Sequence, residues 1–141
     1  MSIFKVSYTV DGNDFSVAGE ASRKLKKVLQ QLGINPQTAR KATIAMYEGE
    51  INMVIHANGG VIDVEITPDK IHMILKDSGP GIPNIKLAMT EGYSTAEDNV
   101  RELGFGAGMG LPNMKKYTDE MTVTSELGVG TTVDISVYID I

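Results

Sequence analysis

The chain has 141 residues and a mass of 15.2 kDa, and we expect residues 1–141 to form one domain around a single hydrophobic core. A net charge of −5 argues against a nucleic-acid-binding surface, and no apolar run approaches the roughly eighteen residues of a membrane span. Cysteine is absent and the N-terminus lacks the pattern of a secretory signal, so disulfides and thiolate zinc sites are excluded and a cytoplasmic location is expected.

The first sixty residues predict one strand and two helices. Apolar residues alternate with mostly polar ones between residues 4 and 10, which is the period of a half-buried strand. Residues from about 17 to 32 predict a helix that ends at Gly33. Asn35 and Pro36 are a capping side chain followed by a proline at the first helical position, and they predict a second helix to about residue 57.

The first predicted helix carries a cluster of basic residues, namely Arg23, Lys24, Lys26 and Lys27. No basic stripe continues this cluster along the sequence, and no aromatic residues alternate with it. The sequence alone therefore predicts a solvated helix face rather than a nucleic-acid site.

The remaining chain predicts a hairpin, irregular sequence, and a second strand pair. Strands at 62–66 and 71–75 flank a turn, and a short helix is expected at 84–89 before a polar stretch. A helix at about 111–117 precedes strands at 121–125 and 133–139, which residues 127–130 join. Hairpin-linked strands with helices in blocks indicate an α+β fold, a mostly antiparallel sheet with helices on one face.

Three polar residues lie in one row along the second predicted helix: Glu48, Asn52 and His56 are spaced four residues apart. An amide oxygen can bind Mg²⁺, and a nearby carboxylate can act as a general base. The alternative is a row of structural hydrogen bonds, because polar groups at the edge of a core need partners. For His56, a structural role near the helix end is the stronger prediction.

A second candidate site is the loop from Asp77 to Ile82, Asp-Ser-Gly-Pro-Gly-Ile, which follows the predicted strand at 71–75. A carboxylate accepts hydrogen bonds only, so Asp77 suits the exocyclic amine of a purine. Gly79 and Gly81 would let a flat ring approach the backbone closely. An ordinary turn rich in Asp, Gly and Pro is the alternative.

A third candidate site is the glycine-rich segment from Gly104 to Leu111, which ends at a predicted helix start. Backbone N–H groups in such a segment can surround a phosphate. A P-loop is excluded because no Gly-Lys-Ser/Thr sequence occurs, and a dinucleotide fingerprint lacks its preceding strand. A mobile lid over a polyphosphate remains as the prediction.

Taken together, these motifs resemble the four sequence boxes of the GHKL ATPase superfamily. They are Glu48-x-x-x-Asn52, Asp77-x-Gly79-x-Gly81, the Gly104–Gly110 array, and Gly128-x-Gly130-Thr131. Within that superfamily the chain is most similar to the anti-sigma-factor serine/threonine kinases and related stress-response switch kinases. The residues that carry this similarity are DSGPGIPN at 77–84, EGYST at 91–95, and GMGLP at 108–112, followed by Lys115.

The resemblance implies a Bergerat ATP-binding fold, ATP and Mg²⁺ as cofactors with ADP as product, and transfer of the γ-phosphate to a serine. It implies Glu48 as the general base, Asn52 as the Mg²⁺ ligand and Asp77 as the adenine contact. The implied nucleotide-binding residues are Asn52, Asp77, Gly79, Gly81, Ile82, Gly104, Gly106, Gly108, Met109, Gly110, Leu111 and Thr131. The implied partners are a small STAS-type anti-anti-sigma protein and a sigma factor. The resemblance implies no nucleic acid or membrane partner, and it is compatible with a homodimer.

Two functions remain open from the sequence, a protein-serine kinase and a nucleotide-gated binding module that transfers no phosphate. A histidine kinase would need a separate helical segment with a phosphoacceptor histidine, and gyrase-like or chaperone-like proteins would need further domains.

Two features depart from the expected pattern. Gly49 lies inside a helix, where glycine costs about 1 kcal/mol relative to alanine and suggests a close approach by another segment. The segment at 95–103 is unusually charged.

Overall fold

A computed structural model describes residues 4–12, 18–56, 59–79, 81, 89 and 110–139. In these ranges the chain forms, in order, β1 (Phe4–Asp11), α1 (Glu20–Gln31), α2 (Pro36–His56), β2 (Gly59–Ile66), β3 (Lys70–Asp77), α3 (Gly110–Lys116), β4 (Glu120–Glu126) and β5 (Gly130–Tyr138). The elements predicted for these ranges are confirmed, with ends that shift by up to three residues. Apart from Met89, the helix predicted at 84–89 lies outside the described residues, as does the charged segment 95–103.

The strands form one sheet in the order β1-β2-β3-β5-β4, and every neighbouring pair is antiparallel. One row across the sheet illustrates the register, because Tyr8, Ile62, Leu75, Val133 and Val123 lie opposite one another in turn. Side chains alternate between faces along each strand, so this register collects the apolar positions of all five strands on one face.

The three helices cover that apolar face. Helix α2 lies between α1 and α3 and contacts four of the strands. Leu25 and Leu29 of α1, Met46 of α2 and Met114 of α3 are fully buried in the shared core. The opposite face is polar and carries an ion pair between Lys5 and Glu65 and a hydrogen bond between His72 and Asp134, each joining neighbouring strands. The predicted α+β sandwich is confirmed, and no helix in the described ranges is long and apolar enough to cross a membrane.

The two long helices begin in different ways. Helix α2 has a local cap, since Asn35 Oδ1 accepts a hydrogen bond from the Gln37 backbone N–H at 2.8 Å. Helix α1 begins after Gly19, whose φ is 92° and which has no side chain to cap the helix. The carboxylate of Glu50, on α2, accepts the free N–H groups of α1 instead. The first turn of α1 therefore depends on a residue about thirty positions away in the sequence.

At Gly49, α2 packs closely on its neighbours. A Cβ atom at this position would lie 2.2 Å from Leu75 Cδ2 and 2.9 Å from Met114 Cε. The close approach expected from a glycine inside a helix is therefore confirmed, and its partners are β3 and α3. Without a side chain at Gly49, α2 can lie directly on the end of the sheet that carries the candidate site.

Candidate functional site

The predicted site residues of α2 lie over the C-terminal end of β3. Gly49 contacts Leu75, and Met53 Cε lies 2.5 Å from the Cβ position of Gly60, the β2 residue paired with Asp77. The segment of α2 that carries Glu48 and Asn52 therefore crosses the sheet close to Asp77. The structure brings the first and second candidate sites to the same end of the sheet.

Glu48 is a half-buried carboxylate with a neutral partner. Asn113 Nδ2 of α3 donates a hydrogen bond to Glu48 Oε1 at 3.2 Å, and no described Lys or Arg lies within ion-pair distance. Burial raises the pKa of Glu48 above its ordinary value, and the hydrogen bond from Asn113 opposes this shift. Such a carboxylate binds a proton more readily than one exposed to water.

Asn52 lies one helical turn beyond Glu48 and is also half-buried. Among the described residues its side-chain amide has no hydrogen-bond partner, in contrast to the carboxylate of Glu50, which accepts four hydrogen bonds. A half-buried amide without protein partners keeps its oxygen for another ligand. This arrangement fits a hard cation that binds through oxygen.

Asp77 is the last residue of β3 rather than the first of the loop, and one of its oxygens organises the loop. Asp77 Oδ1 accepts the backbone N–H of Gly79 at 3.0 Å and that of Thr131 on β5 at 3.1 Å. Within the described ranges Oδ2 has no donor. Thr131 is buried, and its hydroxyl lies 2.8 Å from Ser125 Oγ. The carboxylate is therefore fixed in place with one acceptor still open.

Glycines surround Asp77 on both neighbouring strands. A Cβ at Gly130 would lie 2.2 Å from the Asp77 carbonyl oxygen, and one at Gly60 would lie 2.9 Å from Asp77 Cα. Gly81 has a φ of 84° and would place a Cβ 2.6 Å from the carbonyl oxygen of Glu126. These positions accept glycine only, because the obstructing atoms are backbone atoms that cannot move aside. The loop after Asp77 thus packs against the β4–β5 turn.

The described part of the chain contains only some of the predicted glycine-rich segment. Ile82, Gly104, Gly106, Gly108 and Met109 lie outside the described residues, as does the side chain of His56. Gly110 is the first residue of α3. Leu111 is 8% exposed and belongs to the core, where it packs with Met114 and its neighbours.

Two residues of this region were not predicted from the sequence. Asn113 carries no recognisable motif, since its contact with Glu48 joins residues 65 positions apart. Glu50 could have been found, because it lies four residues after Met46 and four before Val54 on the buried side of α2. A carboxylate on a buried stripe, together with a helix that lacks its own cap, indicates a cap supplied from elsewhere.

Comparisons with known proteins identify the family of this chain. Residues 39–141 match the family of histidine kinase-, DNA gyrase B-, and HSP90-like ATPases. The chain is 33% identical over 118 residues to serine/threonine-protein kinase RsbT of Bacillus subtilis (strain 168), covering 80% of this chain and 83% of that protein. It is 37% identical over 98 residues to the anti-sigma F factor of Geobacillus sp. (strain WCH70), where the match spans 64% of that protein and 65% of this chain.

Solved structures show the same fold at low sequence identity. The RsbU and RsbW domains of Rv1364c from Mycobacterium tuberculosis match with a TM-score of 0.66 and 15% identity, covering 96% of this chain and 32% of that one. The mycobacterial sensor histidine kinase MprB matches with a TM-score of 0.56 and 16% identity, covering 96% and 98%. The match to an ATPase family implies that this domain binds ATP. The chain belongs to the histidine kinase-, DNA gyrase B- and HSP90-like (GHKL) ATPase family, and within it to the group of anti-sigma-factor serine/threonine kinases.

Proposed function

We propose that this chain is an ATP-dependent protein-serine kinase and anti-sigma regulator that transfers the γ-phosphate of ATP to a serine of a small STAS-type anti-anti-sigma protein. The observation that carries the proposal is the environment of Glu48, a half-buried carboxylate with a raised pKa and a neutral partner, Asn113. The relatives named serine/threonine-protein kinase RsbT and anti-sigma F factor support the same activity.

Glu48 suits the role of general base. A carboxylate with a raised pKa binds the departing proton more tightly, provided that the pKa stays below the working pH. In the proposed step, Glu48 takes the proton of the serine hydroxyl while the serine oxygen bonds to the γ-phosphorus. The bond from that phosphorus to the β–γ bridging oxygen breaks, and ADP leaves with the electron pair. The hydrogen bond from Asn113 Nδ2 to Oε1 orients the carboxylate of Glu48 and leaves its other oxygen, Oε2, to accept the proton.

The nucleotide would lie at the end of β3. Within the described ranges Asp77 Oδ2 has no donor and could accept the exocyclic amine of adenine, and Gly79 and Gly81 would allow the ring to approach. The proposed phosphate contacts are Gly106, Gly108 and Gly110, and Thr131 would support the adenine through water. In the described ranges no three His, Cys, Asp or Glu side chains cluster as metal ligands. Mg²⁺ would bind the Asn52 amide oxygen and the phosphates, and would neutralise charge during transfer.

The test uses γ-labelled ATP, Mg²⁺ and a cell extract depleted of this protein. We expect one small protein to gain phosphoserine with wild type, and Glu48→Gln to lower its rate of labelling by about 10²–10⁴-fold, the usual contribution of a general base. ADP affinity should be unchanged, because Gln retains the shape of the side chain. Glu120→Gln is the matched control, since it makes the same chemical change on exposed β4, away from the site.

Two results would overturn the proposal. Equal labelling by wild type and Glu48→Gln would remove Glu48 from the mechanism. Absence of label with wild type, despite Mg²⁺-dependent nucleotide binding, would exclude the kinase and leave a nucleotide-gated module that sequesters a sigma factor or activates another protein.

A further inference from the structure

Six cations lie on the solvent side of the helix pair formed by α1 and α2. We call this surface the basic face, and it consists of Arg23, Lys24, Lys26, Lys27, Arg40 and Lys41, all of them exposed. The two helices are joined by a short turn and pack against each other, so the beginning of α2 lies beside the end of α1. The cluster seen on one helix in the sequence therefore continues onto a second helix.

The basic face separates charge strongly within a small domain. Between Ala18 and Tyr47 the sequence has six Lys or Arg and one Glu, a net charge of +5, while the whole chain carries −5. The remaining residues therefore carry −10. Among the described residues, Lys24 is the one member of the basic face with a carboxylate in ion-pair distance, Glu20 at 3.3 Å. Within the described ranges the other five cations have no such carboxylate, and a charged partner could bind them.

The basic face is continuous with the candidate active site. Lys41, Ile44 and Glu48 follow one another along the partly or fully exposed side of α2. Lys41 and Glu48 are seven residues apart, which is about 10.5 Å along a helix. Tyr47, which is 40% exposed, lies next to this line. A protein bound across the basic face would thus reach the catalytic carboxylate without leaving the surface.

We propose that the basic face docks an acidic surface of the protein that receives the phosphate, an inference that rests on the proposed kinase function. Charge complementarity holds the substrate beside Glu48 and speeds its association. A compact acidic protein fits better than an extended polyanion. The twelve residues of α1 are about 18 Å long, and the acidic remainder of the chain would repel DNA or a membrane that extended beyond them.

The test compares two charge-reversal variants with a matched control. Lys26→Glu/Lys27→Glu and Arg40→Glu/Lys41→Glu each reverse part of the basic face. Lys5→Glu/Lys76→Glu makes the same change in net charge on the exposed opposite face of the sheet. The binding probe is poly-L-glutamate, with short duplex DNA and phosphatidylserine vesicles as comparison probes. We expect the two basic-face variants to bind poly-L-glutamate about tenfold more weakly, and the control to bind it almost as wild type does.

A kinetic measurement addresses the phosphate acceptor itself. The substrate is the unphosphorylated form of the protein that the labelling experiment identifies. The basic-face variants should raise KM for this protein by about tenfold and leave kcat and ADP affinity unchanged, because docking is separate from chemistry. An unchanged KM would overturn the docking surface even if the kinase stands. An equal loss in the control, or preferred binding of DNA or vesicles, would also overturn it. If wild type labels no protein, the kinase fails and the docking of a phosphate acceptor fails with it, a result that differs from an unchanged KM with a working kinase.

Discussion

Glu48 and Glu50 are two carboxylates on one helix, two residues apart, in opposite environments. Glu50 is 2% exposed and accepts four hydrogen bonds, from the backbone N–H groups of Gly19, Ala21 and Ser22 and from the Ser22 hydroxyl. Glu48 is half-buried and, within the described part of the chain, accepts one hydrogen bond, from the amide of Asn113. Burial with donors makes Glu50 structural, whereas partial burial with few donors raises the pKa of Glu48.

Helix geometry explains the difference. Two residues along an α-helix are separated by about 200°, so neighbouring carboxylates of this kind point to different sides. Glu50 points to the N-terminus of α1, where the helix dipole and the free N–H groups stabilise negative charge. Glu48 points to α3 and the candidate site. Residue type alone does not separate the two roles, but the side of the helix does.

The largest expected effect on stability comes from Glu50→Ala. The change leaves the buried donors of α1 without an acceptor, and we expect a loss of about 3–5 kcal/mol in the free energy of unfolding, measured by urea denaturation. Glu50→Gln keeps one acceptor oxygen and should lose less, which provides a folded variant if the alanine protein does not fold. A loss below about 1 kcal/mol for Glu50→Ala would contradict the capping role.

Glu48→Ala is the matched control in that experiment. Because the folded state raises the pKa of Glu48 above its unfolded value, the fold favours the protonated form, and this contribution is lost as pH rises through the folded pKa. At neutral pH the ionised carboxylate is therefore a cost to the fold. Removing it should change stability by less than about 1 kcal/mol, in the stabilising direction. Similar losses of stability for Glu48→Ala and Glu50→Ala would contradict the conclusion that only Glu50 stabilises the fold.

Gly49, between the two carboxylates, offers a smaller effect. Gly49→Ala gains about 1 kcal/mol of helix propensity but crowds Leu75 and Met114, and overpacking typically costs about 1–3 kcal/mol. We expect a net loss of about 1 kcal/mol in urea denaturation. A double-mutant cycle with Leu75→Ala sharpens the test, because removing the crowded side chain should make the two losses less than additive. If the two losses are simply additive, crowding against Leu75 is not the reason that α2 requires a glycine at position 49.

Local patterns in the sequence were enough to predict the elements. Alternation predicted β2 and β3, and the Asn35–Pro36 pair predicted the first turn of α2 within one residue. The start of α1 was predicted three residues too early because its cap comes from Glu50. The four-residue spacing of Glu48 and Asn52 predicted that they lie on the same side of α2. The contact between Asn113 and Glu48 could not be predicted in this way, because it depends on how α3 packs on α2. A single sequence is enough to predict features that depend on neighbouring residues. Contacts between distant segments can be identified only once the fold is known.

The smallest predicted effect separates the charge of Glu48 from its position. Asn113→Ala removes the hydrogen bond that lowers the pKa of Glu48 and leaves the burial that raises it, so the pKa should move further up. Only the ionised carboxylate can accept the serine proton, so the acid limb of the pH–rate profile for phosphate transfer should shift to higher pH. The rate should therefore fall on the acid side of the profile and recover as the pH is raised.

Asn113→Asp sharpens the same experiment. A second carboxylate beside Glu48 disfavours its ionisation, so the acid limb should move further than with alanine while the side-chain size is kept. If instead both variants lose the same fraction of activity at every pH, Asn113 acts by orienting Glu48 and not by setting its pKa. The two carboxylates of α2 would then differ in geometry alone, since a base that is held wrongly does not recover when it is ionised.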